Sequence, residues 1–198
     1  MQLIRKHTKP KLQILMLGNS LTAANHMPVM LAKELGAEGF VHARGGARLA
    51  EQLNPDTKMG ALTAKALQNN HYDYVVLQEM SHGPATAAAK YLDSTRKLVE
   101  SIRESGAEPV IYATWAFRPG CEKLDKLGID AEEMHKLMQV GFAKAAEEND
   151  VILANVGEAF KERGFADSLY AEDGRHPSKE GSALAASVIA DAILKNER

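Results

Sequence analysis

The sequence predicts an α/β fold, a five-stranded parallel sheet with helices on both faces. Three observations carry the prediction. Short apolar runs alternate with longer helical stretches along the chain. The clearest runs are continuously apolar rather than alternating, as strands buried on both faces are. The 198 residues, 45% hydrophobic and 25% charged, suffice for one domain, 1–198, with a full core.

In chain order, LQILMLG (12–18) is an apolar run stopped by Gly and reads as the first strand. HMPVMLAKELGA (26–37) follows as a helix, and GFVHAR (39–44) as a second, weaker strand. KMGALTAKALQN (58–69) is helical and YDYVVLQE (72–79) is the third strand. A long amphipathic helix spans 86–105 and ends at Gly106, before strand four, EPVIYATWA (108–116). A helix over 131–149 leads to strand five, VILANVG (151–157), and a last helix covers 178–196.

Composition excludes several functions. Lys plus Arg number 24 and Asp plus Glu 26, for a net charge of −2, which leaves no footprint for nucleic acid. The basic run Arg5, Lys6, Lys9 and Lys11 reads as a solvated tail. The one cysteine, Cys121, allows no internal disulfide and reads as a small filler beside Gly120. No apolar run approaches the ~20 residues that span a bilayer, so no membrane role is expected. The first apolar stretch runs directly into GNS rather than into a signal-peptide cleavage pattern. A cytoplasmic location is the default expectation, and secretion would follow if a leader precedes this chain. His7, His42, His71 and His135 lack ligand spacing and no HExxH pattern occurs, so neither a metal nor another cofactor is expected.

In open parallel sheets, functional groups gather on loops beyond the strand C-termini. Here those loops are 18–25, 44–55, 78–85, 114–130 and 156–177. The first, GNSLTAANH, brings Ser20 close to a helix start, where Ser20, Thr22 or Asn25 would serve as a cap or Ser20 as a nucleophile. The second, ARGGAR, carries Gly45 and Gly46, suited to a turn or to a backbone N–H aimed at an oxyanion. The third, LQEMSHGP, carries Gln78, Glu79, Ser81 and His82. The last holds Asp173 three residues before His176. Pro177 pushes His176 towards extended geometry, outside the following helix. Asp173 can then hold one ring nitrogen and leave the other as a base. A Ser, a His, an Asp and small backbone donors on one sheet edge form the inventory for nucleophilic acyl transfer.

These residues resemble the SGNH hydrolases, relatives of the GDSL esterases. The family's first block, G-D-S, stands here as Gly18-Asn19-Ser20-Leu21-Thr22, and its last, D-x-x-H, as Asp173-Gly174-Arg175-His176. The resemblance covers nearly the whole chain. It implies a three-layer α/β/α flavodoxin-like sandwich and hydrolysis of small acyl esters, acetyl esters of carbohydrates among them. In that reading Ser20 is the nucleophile, His176 the general base and then acid, and Asp173 its orienting partner. The N–H groups of Ser20 and Gly46 would line the oxyanion hole.

Two departures stand out. Asn19 replaces the usual Asp, and the third block lacks the G-x-N-D motif with its oxyanion-donating Asn. The Gln78-Glu79 pair is similar to the Gln-Gly-Glu segment of carbohydrate-acetylesterase-like branches, which assigns the third oxyanion donor to Gln78, with His82 as runner-up. Trp115, Phe117 and Arg118, after strand four, would line the substrate pocket together with His82, or else Trp115 belongs to the core and Arg118 to a solvated rim; Arg44 and Arg48, which flank the Gly pair, read as surface charges rather than as groups that meet an anionic substrate. The partner expected is a small ester or acylated carbohydrate. The rivals are an O-acyltransferase and a flavodoxin-like binding protein without catalysis. Mononucleotide binding is disfavoured, because GNSLTAAN has neither the glycine spacing nor the Lys for phosphate.

Overall fold

Why the strands are so apolar is evident from their neighbours. The computed structural model describes residues 11–196; Arg5, Lys6, His7 and Lys9 lie outside them. β1 (Gln13–Gly18) is followed by a single turn α1 (Ser20–Ala23), a 3₁₀ turn at Ala24–His26 and α2 (Met27–Leu35). Next come β2 (Glu38–Ala43), α3 (Leu49–Leu53), α4 (Lys58–Asn69) and β3 (Tyr74–Leu77). A short α5 (Gly83–Thr86) precedes α6 (Ala88–Glu104) and β4 (Glu108–Ala113). The chain ends with α7 (Glu122–Leu127), α8 (Ala131–Asn149), β5 (Ile152–Asn155), α9 (Val156–Glu162) and α10 (Lys179–Asn196).

All five strands are parallel, in the order β2-β1-β3-β4-β5 of a flavodoxin-like sheet. α2 and α10 pack together over one face, while α3, α6 and α8 cover the other. Ile14 to Leu17 of β1, Val75 to Leu77 of β3 and Val110 to Ala113 of β4 are therefore buried from both sides. β2 lies on the edge, where Phe40 and Val41 stay exposed, which accounts for its weaker apolar pattern. The register aligns Gly18 with Ala43, Leu17 with Leu77, Leu77 with Ile111 and Ala113 with Asn155. The strands thus end level with one another and present their loops along one edge.

The expected strands and long helices are all present. The strand-three run stops earlier than expected, at Leu77, and strand four at Ala113, because Gln78 and Thr114 turn into loops. Strand five ends at Asn155, whose side-chain oxygen accepts from the Glu158 N–H and starts α9. No helix among the described residues is long and apolar enough to cross a membrane.

Candidate functional site

Ser20 opens α1, one residue, Asn19, after the end of β1. The helix cap expected of Ser20, Thr22 or Asn25 is supplied by Asn19, whose Oδ1 accepts from the Leu21 N–H at 3.0 Å. Ser20 is thereby released from capping. Gly18 is required by close approach, since a Cβ there would meet Thr22 Oγ1 at 2.4 Å and Gln78 Oε1 at 2.7 Å. Buried Asn19 also donates from Nδ2 to the Ala47 carbonyl at 3.1 Å. An Asp in this place, as the family usually has, would lack that donor.

The Ala47 N–H closes a turn onto the Arg44 carbonyl at 2.9 Å. Gly46 sits at the third position of the turn with φ +70°, a left-handed conformation that favours glycine. Gly46 lines the cavity above Ser20, whereas Gly45 does not. Neither the Gly46 nor the Ser20 N–H is engaged by another described residue. Arg44 pairs with Glu51 at the surface, as expected of a surface charge.

Gln78 is placed differently from expectation. It is 1% exposed and does not line the cavity. Its Oε1 accepts from the Asn19 N–H at 2.9 Å and from the Thr22 hydroxyl at 3.0 Å, and its Nε2 donates to the Glu79 carbonyl. Two donors at Oε1 fix the amide orientation, so Gln78 supports the Ser20 turn from beneath, with its Nε2 directed at the Glu79 carbonyl and outside the cavity lining. Glu79 is buried as well. Its oxygens accept from the Met80 and Leu49 N–H groups, tying this loop to the start of α3. Burial pushes its carboxyl up, although both N–H groups and Arg48 pull the other way.

His176 Nε2 lies 2.9 Å from Ser20 Oγ, across 156 residues of sequence. On the other side of the ring, Nδ1 stands 2.6 Å from Asp173 Oδ2. Asp173 Oδ1 accepts from the Arg175 and His176 N–H groups at 2.9 and 3.0 Å. Partial burial acts to raise the Asp173 carboxyl, but the His176 ring and these two N–H groups outweigh it and hold the group at about 2. The loop itself is pinned along its length. Trp115 Nε1 donates to the Arg175 carbonyl at 3.1 Å, the Arg118 N–H to the Gly174 carbonyl at 2.8 Å, and Tyr170 Oη to the Ala116 carbonyl at 2.9 Å. Cys121 is buried, as expected of a filler, and its thiol points at the Asp173 carbonyl.

Ser20, Gly46 and His176 open into a cavity of about 240 Å³, closed by Met80, Ser81, His82 and Phe117 and flanked by Lys123 and Arg175. Wider grooves elsewhere, such as one bordered by His71 and Glu104, include none of Ser20, Asp173 and His176. Of the residues expected to bind substrate, His82 and Phe117 line the Ser20 cavity. Trp115 does not: it is 1% exposed and stacks on Phe160 at 4.2 Å, so its part is to anchor the His176 loop from the core. Arg118 packs against Gly174 and reaches Asp167 at 3.7 Å, away from the cavity. His82 Nδ1 faces the Thr86 hydroxyl at 2.9 Å. Burial, then the charges of Arg48 and Lys123, lower its ring below the ordinary value, so it is neutral at neutral pH. Sequence reasoning did not single out Lys123, Met80 or Arg175 as cavity residues; Arg175 stands at a variable position of the D-x-x-H block, and loop position was the only signal for the other two. Among the described residues, no group of three His, Cys, Asp or Glu side chains could hold a metal ion.

A solved structure of a candidate SGNH hydrolase from Slackia heliotrinireducens is 56% identical, with a TM-score of 0.90 over 92% of this chain and 99% of that one. A DUF4886 family protein from Bacteroides uniformis matches with a TM-score of 0.71 and 18% identity, over 93% of this chain and 83% of that one. An acetyl xylan esterase matches with a TM-score of 0.66 and 15% identity, over 92% and 100% of the two chains. The last two bear on the fold alone. No family model matches the chain, and no curated protein does.

Proposed function

Since this chain belongs to the SGNH hydrolase family, we propose that it is a serine esterase that cleaves small acyl esters through an acyl-enzyme on Ser20. The observation that carries this reading is the relay Ser20 Oγ, His176, Asp173, with contacts of 2.9 and 2.6 Å. The Asp173 carboxylate accepts the Nδ1 proton of His176 and leaves Nε2 a lone pair towards Ser20. As Ser20 Oγ attacks the ester carbonyl, its proton passes to Nε2. The carbonyl oxygen becomes an oxyanion, received by the N–H groups of Ser20 and Gly46. Collapse expels the alcohol, which takes the proton from Nε2, and leaves the acyl group on Ser20. Water then attacks the acyl-enzyme, gives a proton to Nε2, and the carboxylic acid departs as Ser20 regains its own.

The cavity of about 240 Å³ is smaller than the ~300 Å³ at which drug-sized pockets begin, which favours short acyl groups such as acetyl. An acetyl xylan esterase of the same fold is a precedent for that chemistry on this scaffold. The test is hydrolysis of p-nitrophenyl acetate and of a longer-chain ester by the wild type and by Ser20→Ala. The expected outcome is preference for acetate and a loss of about 10³-fold or more on substitution. Equal turnover by both proteins would overturn the reading.

A further inference from the structure

The whole chain carries a net charge of −2, yet the mouth of the Ser20 cavity is cationic. Lys123 and Arg175 line it, and no Asp or Glu is among the described residues that do. Arg175 is partly engaged, with its guanidinium 3.2 Å from Asp173. Lys123 has no ion pair among the described residues, although its helix neighbours Glu122 and Lys126 pair with each other at 2.6 Å. Arg48, half-buried and outside the cavity lining, has no ion pair among the described residues, but its charge acts on both the Glu79 carboxyl and the His82 ring. Among the described residues Lys123 is thus a cation without an ion pair at a small cavity that Leu21, Met80 and Phe117 line beside its polar groups. Low-dielectric walls concentrate such a field on the cavity.

From this arrangement we infer that the ester cleaved at Ser20 bears an anionic group, a carboxylate or similar, held at the cavity mouth by Lys123 and Arg175, with the charge of Arg48 beyond the lining. The inference rests on the esterase reading and narrows its substrate class. The anion can sit on the acyl or on the alcohol half, and the probes separate the two. Phenyl hemisuccinate carries a carboxylate on the acyl side, 4-acetoxybenzoate carries one on the alcohol side, and phenyl acetate carries none.

The experiment measures kcat/KM for the three esters at low and high salt in the wild type, Lys123→Gln and Lys126→Gln. One of the anionic esters is expected to exceed phenyl acetate by about tenfold at low salt. That ratio should shrink with salt and in Lys123→Gln, and be unchanged in Lys126→Gln. Ratios at or below one, or a preference that Lys123→Gln leaves intact, overturn the inference while the esterase reading stands. If the wild type turns over none of the esters, the esterase reading falls, and calorimetric binding of the same three to Ser20→Ala decides the charge preference. Tighter, salt-sensitive binding of an anionic ester supports it, and no difference between the three overturns it.

Discussion

Asn25 Nδ2 stands 2.9 Å from the Pro177 carbonyl and so joins the segment that carries Ser20 to the loop that carries His176. The same nitrogen reaches Ser182 Oγ on α10 at 2.9 Å. Asn25 adopts φ 52°, in the left-handed region, as His26 does after it at φ 58°. The break between α1 and α2 is what aims the amide at the neighbouring loop. Asn is among the residues that tolerate this backbone.

Two substitutions separate the backbone from the side chain at this position. Asn25→Gly keeps the left-handed turn and removes both hydrogen bonds. It is expected to cost about 1–2 kcal/mol of stability and to lower kcat about tenfold, as His176 loosens against Ser20. Asn25→Ala should cost roughly 1 kcal/mol more, because a Cβ is unfavourable in this conformation. Urea unfolding with steady-state kinetics on both variants checks the pair. Wild-type kcat in Asn25→Gly would mean that the remaining bonds hold the loop alone.

Gln78 offers a sharper contrast between support and chemistry. An oxyanion donor can be removed at a cost of about 10²–10³ in kcat with stability largely kept. A buried acceptor cannot, because Gln78→Ala leaves the Asn19 N–H and the Thr22 hydroxyl without their partner. The expected outcome is therefore a loss of about 2–4 kcal/mol in unfolding free energy, with kcat falling only as the Ser20 turn is displaced. A large kcat loss at wild-type stability would restore Gln78 to the oxyanion hole.

These two residues also mark the limit of what the sequence conveys. The strands and long helices were legible because their apolar period is local; Lys58–Asn69 and Ala131–Asn149 match the expected helices to the residue. Ser20, Asp173 and His176 were legible because each falls in a short motif on the correct edge of the sheet. The short helices α1, α3, α5, α7 and α9 were not, since one or two turns show no period and are held by partners elsewhere. Gln78 took the oxyanion role in the sequence because a strand-end amide is chemically able to donate. Its acceptor, however, is claimed by an N–H 59 residues earlier in the chain. Trp115 in a site loop looked like a pocket wall until Phe160 and the Arg175 carbonyl were seen to occupy it.

Asn19→Asp moves the chain towards its family's usual first block, and the geometry predicts that it is harmful here. The substitution turns the donor facing the Ala47 carbonyl into an acceptor, in a side chain that is 3% exposed. Two oxygens would then face each other at the root of the Gly46 turn. The expected cost is about 1–3 kcal/mol, and under the proposed mechanism kcat falls as well, because the Gly46 N–H shifts from the oxyanion. Thermal unfolding and kinetics read both effects. An Asp variant as stable and active as the parent would show that the Ala47 carbonyl finds another donor.

Asp173→Asn tests the relay from its far end. The Asn side chain keeps an acceptor for the Arg175 and His176 N–H groups but turns its NH₂ towards His176 Nδ1. The ring must then place its proton on Nε2, facing Ser20, and cannot take another. A loss on the order of 10⁴-fold in kcat is expected, with the fold retained. The same carboxylate shapes acid stability. Its folded value of about 2 lies below the ordinary unfolded value of ~3.9, so the stabilisation is full above pH ~4. It is lost as the pH falls from there through about 2, where the folded carboxylate takes up its proton. With the side chain 34% exposed, solvent screening reduces the contribution to about 1 kcal/mol. Urea unfolding at pH 5 and pH 2.5 should therefore show a smaller drop in Asp173→Asn than in the wild type. Identical drops would mean that the carboxylate's bonds persist in the unfolded chain or that its charge is fully screened in the folded one.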